Sequence, residues 1–120
     1  MIKVWLALLL ASQYSVPLRA ESICVKHGQC EMNLSPNFTC PEITASSFVR
    51  RVCYDKDESF MVINLAGTWY PYCAVDAVSF LQLISAPSIG RHYNEHFKSK
   101  RDGTRGPFDC RDHEMPRYPR

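Results

Sequence analysis

The pattern of apolar and polar positions from residue 47 onwards predicts three consecutive strands. Phe48, Val52 and Tyr54 fall on one side of a segment with period two, which is typical of a half-buried strand. The polar turn DKDE leads to a second strand, SFMVINL, and an Ala-Gly turn at residues 66 and 67 leads to a third, TWYPYCAV.

A first amphipathic helix is predicted after the third strand. Asp76 is a suitable N-cap, because its carboxylate can accept from the free amides of a first helical turn. The predicted core-facing stripe consists of Ala77, Phe80, Leu81 and Ile84. Pro87 ends this helix, since proline disfavours helical backbone in the residue before it.

A second helix is predicted from a cap at Ser88 to about Lys98. Ile89, Tyr93 and Phe97 lie four apart on one of its faces, which we expect to pack on the sheet. The fold class is therefore α+β, with a small three-stranded unit followed by two packed helices.

The segments on either side of this unit are of a different kind. Residues 1–20 combine Lys3, an apolar run over residues 4–11 and a cleavage site before Glu21, which is typical of a secretory signal peptide. The apolar run is too short to span a membrane, and no later run is long enough to anchor the chain. We expect an irregular extension over 21–45, the domain over 46–108 and a loop-like tail over 109–120 that is tied down at Cys110 and frayed at its end.

Cysteine usage agrees with export to the secreted or periplasmic space. All six cysteines lie beyond residue 20 and no C-x-x-C pair is present, so disulfides are favoured over a redox centre or a zinc ribbon. In a meander, Cys53 and Cys73 lie on the two outer strands, about 10 Å apart across the middle one. That distance is too long for a bridge, so each is expected to pair with Cys110 or with an N-terminal cysteine. The N-terminal candidates are Cys24, Cys30 and Cys40.

The net charge of the chain without residues 1–20 disfavours nucleic acid as the partner. Loss of residues 1–20 removes Lys3 and Arg19, which leaves 12 basic side chains (14 less 2) against 12 acidic ones. A neutral chain lacks the broad basic field that drives non-specific nucleic-acid binding. The basic loop at 98–105 could bind phosphate, but a solvated loop is favoured for so short a mixed charge run. Asn37 begins a formal N-glycosylation sequon, whose use depends on the kingdom.

A possible metal motif lies in the second helix. His92, Glu95 and His96 spell H-x-x-E-H, the pattern of a zinc peptidase helix. Such an enzyme needs a further protein ligand and a substrate cleft, and the acidic side chains that follow all lie in the irregular tail. We therefore expect a polar helix flank, with no metal or other cofactor. No G-x-S-x-G or other nucleophile with a positioned base is found either.

A candidate partner surface combines the third strand with the second helix. Tyr70 and Tyr72 share one side of the strand, and Pro71 between them favours a sheet edge because proline donates no ladder hydrogen bond. Arg91 and Asn94 lie three apart on the helix, off its apolar stripe. We expect a protein or peptide partner to bind where these four side chains meet.

Three runs in this order resemble a known family: SSFVRRVCYD, AGTWYPYCAV and APSIGRHYNEHF. The chain from Ser46 to Phe97 is similar to the KTSC domain, a small module named from the C-terminal region of some lysyl-tRNA synthetases. The resemblance implies a three-stranded antiparallel meander with helices packed on it. Its recurring helix positions are Gly90, Tyr93, Asn94 and Phe97, and the motif residues His92, Glu95 and His96 are not among them.

Together these patterns favour an exported, disulfide-stabilised interaction module without catalytic activity. One alternative is a nucleic-acid-binding accessory protein, suggested by the synthetase association and the basic loop. A second alternative is a small metal-dependent hydrolase that uses the HYNEH segment.

Overall fold

The computed structural model describes residues 21–44 and 46–120. The predicted signal peptide lies outside these residues. The strands are β1 (Ser22–Ile23), β2 (Met32–Asn33), β3 (Val49–Asp55), β4 (Phe60–Leu65) and β5 (Thr68–Tyr72). The helices are α1 (Ala77–Ser85), α2 (Ile89–His96) and a short 3-10 turn at Cys110–Asp112. Within the described residues, no helix has the length and apolar character needed to cross a membrane.

The predicted meander is confirmed. β3, β4 and β5 form an antiparallel sheet in that order, and Met61 on the central strand pairs with Tyr54 on one side and Tyr72 on the other. The turn between β4 and β5 has positive φ at both Ala66 and Gly67, as a tight two-residue hairpin requires. The Asn64 side chain accepts from the Gly67 amide at 2.8 Å and so stabilises this turn.

One face of the sheet carries both helices. The buried members of this core are Val49, Val52, Tyr54, Met61, Ile63, Tyr72, Val75, Phe80, Leu83, Ile89, Tyr93 and Phe97. A register shift between Val49 and Arg51 lets Val49 and Val52, three residues apart, face the same side. The predicted N-caps are confirmed, because Asp76 accepts from the Ser79 amide and Ser88 from the Arg91 amide.

The predicted stripe on α1 was partly wrong. Phe80 and Leu83 are the buried residues of this helix, whereas Leu81 is 55% exposed and Ala77 is exposed. At 3.6 residues per turn, a helix that directs Phe80 and Leu83 at the sheet turns Leu81 about 130° away from it. The helical period of the apolar residues did not show whether Leu81 or Leu83 accompanies Phe80 on the buried face.

The other face of the sheet is covered by the extension over 21–44 and by the tail. Its buried core consists of Ile23, Val25, Met32, Leu34, Cys53, Phe60, Val62, Cys73 and Tyr118. The extension over 21–44 is largely irregular, as predicted, but it also contains the short β1–β2 ribbon, which packs here. The tail is a loop tied down at Cys110, as predicted, but its end is not frayed, since Tyr118 is 8% exposed and its hydroxyl donates to the buried Asp55 carboxylate at 2.7 Å.

Two of the three disulfides fasten the extension and the tail to the sheet. Cys40–Cys53 and Cys73–Cys110 join the outer strands to the extension and to the tail, with Cα–Cα distances of 4.1 and 5.0 Å. Cys24–Cys30 closes a loop within the extension. The prediction that Cys53 and Cys73 find separate partners is confirmed. Three bridges in so small a unit are typical of proteins of an oxidising compartment.

Candidate functional site

A groove of about 700 Å³ runs along β5, between α2 and the segments that cover the other face of the sheet. This volume lies within the range of roughly 300–1,000 Å³ that is usual for ligand sites. Two other cavities have only about 210 and 130 Å³. We call it the tyrosine groove; it is lined by Lys26, His27, Tyr70, Pro71, Tyr72, Tyr93, Lys98, Ser99, Asp109, Cys110, Arg111 and Met115.

The outer edge of β5 forms one wall of the groove. The Trp69 carbonyl accepts from the Lys26 amide at 2.8 Å, and the Cys73 amide donates to the Phe108 carbonyl at 2.8 Å. Backbone groups alternate in direction along a strand, so residue 71 also faces outward. Proline at this position therefore costs no hydrogen bond to β4. The extension contacts the edge of β5 at Trp69 and the tail contacts it at Cys73, so the two segments lie on either side of Pro71.

Three tyrosines form the apolar part of the groove. The hydroxyls of Tyr72 and Tyr93 are hydrogen-bonded to each other, and both side chains are buried. Burial, followed by the proximity of the Tyr93 hydroxyl, raises the pKa of Tyr72, and burial also raises the pKa of Tyr93. Both hydroxyls are therefore neutral, and the pair retains one hydroxyl hydrogen beyond the bond between them. Tyr70 is only half-buried, so part of its ring faces the groove.

The rim of the groove is charged. The Lys26 ammonium lies 5.5 Å from the centre of the Tyr70 ring, a cation–π distance. Arg111 donates to both carboxylate oxygens of Asp109, at 3.0 and 2.7 Å, and Ser99 donates to the same carboxylate at 2.8 Å. The Arg111 hydrogen bonds hold the pKa of Asp109 well below its usual range. Asp109 is therefore a fixed anion already paired within the rim.

The structure separates the four side chains that the sequence placed on one partner surface. Tyr70 and Tyr72 line the groove, although Tyr72 is 7% exposed and belongs to the core. Arg91 and Asn94 are exposed on α2 and do not line it. Tyr93 is the residue of α2 that points to the groove, and Asn94 follows it about 100° further round the helix.

Several groove residues were missed because they come from the covering segments. Lys26 and His27 belong to the extension, and Asp109 and Arg111 to the tail. The expectation that Cys73 pairs with Cys110 or with an N-terminal cysteine was the available signal, since the Cys73–Cys110 bridge brings residues 109–111 next to the end of β5.

The histidines of the H-x-x-E-H motif lie at a separate place. The rings of His92 and His96 are 4.3 Å apart between centroids, beside the cavity of about 130 Å³. Burial, with the neighbouring His96, lowers the pKa of His92. In the part of the chain that the structure describes, no three His, Cys, Asp or Glu side chains are grouped to hold a metal ion.

Comparison with known proteins identifies the central unit. A family model, the KTSC domain, matches residues 45–100, which include β3, β4, β5, α1 and α2. No curated protein and no solved structure matches the chain significantly. The matched region contains the three tyrosines and Lys98, whereas Lys26, Asp109 and Arg111 come from the segments outside it.

Proposed function

Residues 45–100 are a KTSC domain, and we propose that the whole chain is an exported, disulfide-stabilised module that binds a protein or peptide partner in the tyrosine groove without catalysing a reaction. The observation that carries this proposal is the partly buried ring of Tyr70, which lines the edge of a groove of about 700 Å³. Aromatic side chains on a rigid strand are effective interface anchors, because they bring a large contact area at little cost in conformational entropy.

The surroundings hold that ring in place. β5 is paired to β4 along its length, and its ends are tied to the extension and the tail by the hydrogen bonds at Trp69 and Cys73. The Cys73–Cys110 bridge lies at one end of the groove. A wall of this kind is already ordered before binding, so less binding energy is lost in ordering it.

Export is supported by two independent features. The leader-like residues 1–20 predict secretion, and three disulfides join cysteine pairs in the rest of the chain. We infer a secreted or periplasmic protein whose chain begins at Glu21 after cleavage. Mass spectrometry of protein recovered from the exported fraction tests this, and an intact Met1 would contradict it.

The chemistry of the groove favours binding over catalysis. Its hydroxyl nucleophile candidate, Ser99, donates to Asp109, but that carboxylate is held by Arg111 and is a poor base at its lowered pKa. The Tyr72 and Tyr93 hydroxyls have raised pKa values, so they are poor nucleophiles near neutral pH. These groups are suited to hydrogen bonding with a ligand.

Peptide display on the oxidised protein tests the proposal. We expect selected peptides to bind the unmodified protein and to lose at least about tenfold in affinity on Tyr70→Ala, as for an interface hot spot. Leu81→Ala is the matched control, because Leu81 is 55% exposed on α1 and does not line the groove. Equal loss in both variants, or no selectable peptide, would overturn the proposal.

A nucleic-acid ligand is the second candidate. Lys26, Lys98 and Arg111 surround aromatic rings on which bases could stack. Binding of a mixed-sequence single strand should then weaken steeply with added salt. Such binding, with no peptide ligand found, would favour this alternative.

A further inference from the structure

The free charges of the tyrosine groove are positive, and we propose that the segment it binds is an acidic peptide whose carboxylates pair with Lys26 and Lys98 while an apolar residue packs on Tyr70. This inference rests on the proposed function. It adds the chemical class of the partner.

The first step is the balance of charge inside the groove. The lining includes three basic side chains, Lys26, Lys98 and Arg111, and one acidic side chain, Asp109. Asp109 is occupied by Arg111, through hydrogen bonds to both of its oxygens. Two ammonium groups remain without an acidic neighbour in the lining.

The second step is whether another acid neutralises them. Among residues 21–44 and 46–120, no carboxylate lies within 4.0 Å of either lysine ammonium. The remaining residues, 1–20 and 45, include no aspartate or glutamate. The chain itself therefore supplies no partner for Lys26 or Lys98 at salt-bridge distance.

The third step is the contrast with the rest of the molecule. Residues 21–120 have 12 basic and 12 acidic side chains, so an excess of two positive charges in the groove leaves an equal negative excess elsewhere. This distribution attracts an anion to the groove and disfavours it over the remaining surface. Lys100 and Arg101 are exposed in the loop that follows Lys98 and extend the positive surface on that side. The groove itself holds only about 700 Å³, which fits a short acidic segment better than a long nucleic-acid strand.

The neutral groups of the groove fit the same ligand. The Tyr72 and Tyr93 pair has one hydroxyl hydrogen beyond its own bond, and a carboxylate or a peptide carbonyl can accept it. The Lys26 ammonium already lies over the Tyr70 ring, so an acidic residue next to an apolar one would meet both groups together. Acidic and apolar side chains are thus expected side by side in the partner.

The inference is tested with three capped peptides. The first is a Pro-Leu-Glu repeat, and in the other two every glutamate is replaced by glutamine or by lysine. We expect the glutamate peptide to bind at least several-fold more tightly than the glutamine peptide, and the lysine peptide to bind most weakly. Lys26→Gln and Lys98→Gln should each reduce the affinity for the glutamate peptide roughly 2- to 5-fold, the range of exposed ion pairs. Lys56→Gln, in the β3–β4 turn outside the groove, is the matched control and should have no effect.

The outcomes separate the two proposals. Equal affinity for the glutamate and glutamine peptides, together with loss of both on Tyr70→Ala, would overturn the acidic specificity and leave the binding function standing. Absence of binding by all three peptides would overturn the acidic specificity, and the display selection would then decide the binding function separately. Tighter, lysine-dependent binding of a mixed-sequence oligonucleotide would replace the acidic peptide by a nucleic acid.

Discussion

Truncation of Tyr72 and of Tyr70 should have very different effects on stability. Tyr72 is 7% exposed, and its ring packs edge-on against Tyr93 and Phe97 at centroid distances of 5.8 and 6.0 Å. Removal of a buried aromatic ring costs about 3–5 kcal/mol, and loss of the hydroxyl leaves that of Tyr93 without its partner. Tyr72→Ala should therefore lower the free energy of unfolding by at least about 3 kcal/mol.

The half-buried ring of Tyr70 contributes much less. The ring packs partly against the sheet–helix core, and its cation–π contact with Lys26 is worth about 0.5–1 kcal/mol at an exposed site. We therefore expect Tyr70→Ala to cost about 1.5 kcal/mol. A domain of this size loses roughly 4–8 °C in melting temperature for each kcal/mol. Tyr72→Ala should thus melt at least about 12 °C lower, and Tyr70→Ala should lose no more than about half as much.

Thermal unfolding followed by far-ultraviolet circular dichroism, with the disulfides intact, measures both variants. Tyr72→Phe is the control that separates the hydroxyl from the ring, and it should cost about 1–3 kcal/mol by leaving the Tyr93 hydroxyl unpaired. An equally large loss in Tyr70→Ala would refute the reasoning, because Tyr70 would then be a core residue with no ring available to a partner.

Three further predictions concern the disulfides, alkaline pH and the histidines. Replacement of both cysteines by alanine should lower the free energy of unfolding by about 4 kcal/mol for Cys73–Cys110 and by about 2 kcal/mol for Cys24–Cys30, because the closed loops span 37 and 6 residues. Urea titration measures both losses, and the reverse order would contradict the prediction. Four buried tyrosines have pKa values raised above 10.0, so their contribution to stability is complete below pH 10 and falls above it as the unfolded chain ionises. In an alkaline titration, unfolding and tyrosinate absorbance should therefore rise together, and ionisation of all tyrosines while the protein is still folded would argue against this. Replacement of His92 and His96 by alanine should leave the melting temperature almost unchanged, since neither is in the core; stoichiometric zinc that disappears in this variant would contradict the proposed non-metal function.

The central sheet and the helices could be predicted because their signals are local. Period two along β3, the Ala-Gly turn and the two capping residues each depend on neighbours in sequence. The extension could not be assigned in the same way, because β1 and β2 have only two residues each and are ordered by packing on the sheet. The docking of Tyr118 on Asp55 spans 63 residues and left no periodic signal in the tail.

The candidate site was only partly predictable for the same reason. Tyr70 and Tyr72 lie on a strand whose alternation is visible in the sequence, so their common side could be inferred. The direction in which α2 faces that strand depends on tertiary packing, which turned Tyr93 to the groove and left Arg91 and Asn94 outside its lining. Lys26 and Arg111 reach the groove through long-range contacts of the two chain ends.

Chemical-shift mapping of a bound peptide tests the binding function of the groove most directly. Titration of the isotope-labelled, oxidised protein with a display-selected peptide should shift the amide signals of Tyr70, Tyr72, Lys98 and Arg111 in a saturable manner. The exposed face of α1 at Val78 and Leu81 should remain unaffected. Saturable shifts confined to α1, or to the outer face of α2 at Arg91 and Asn94, would contradict the assignment of the groove as the binding site.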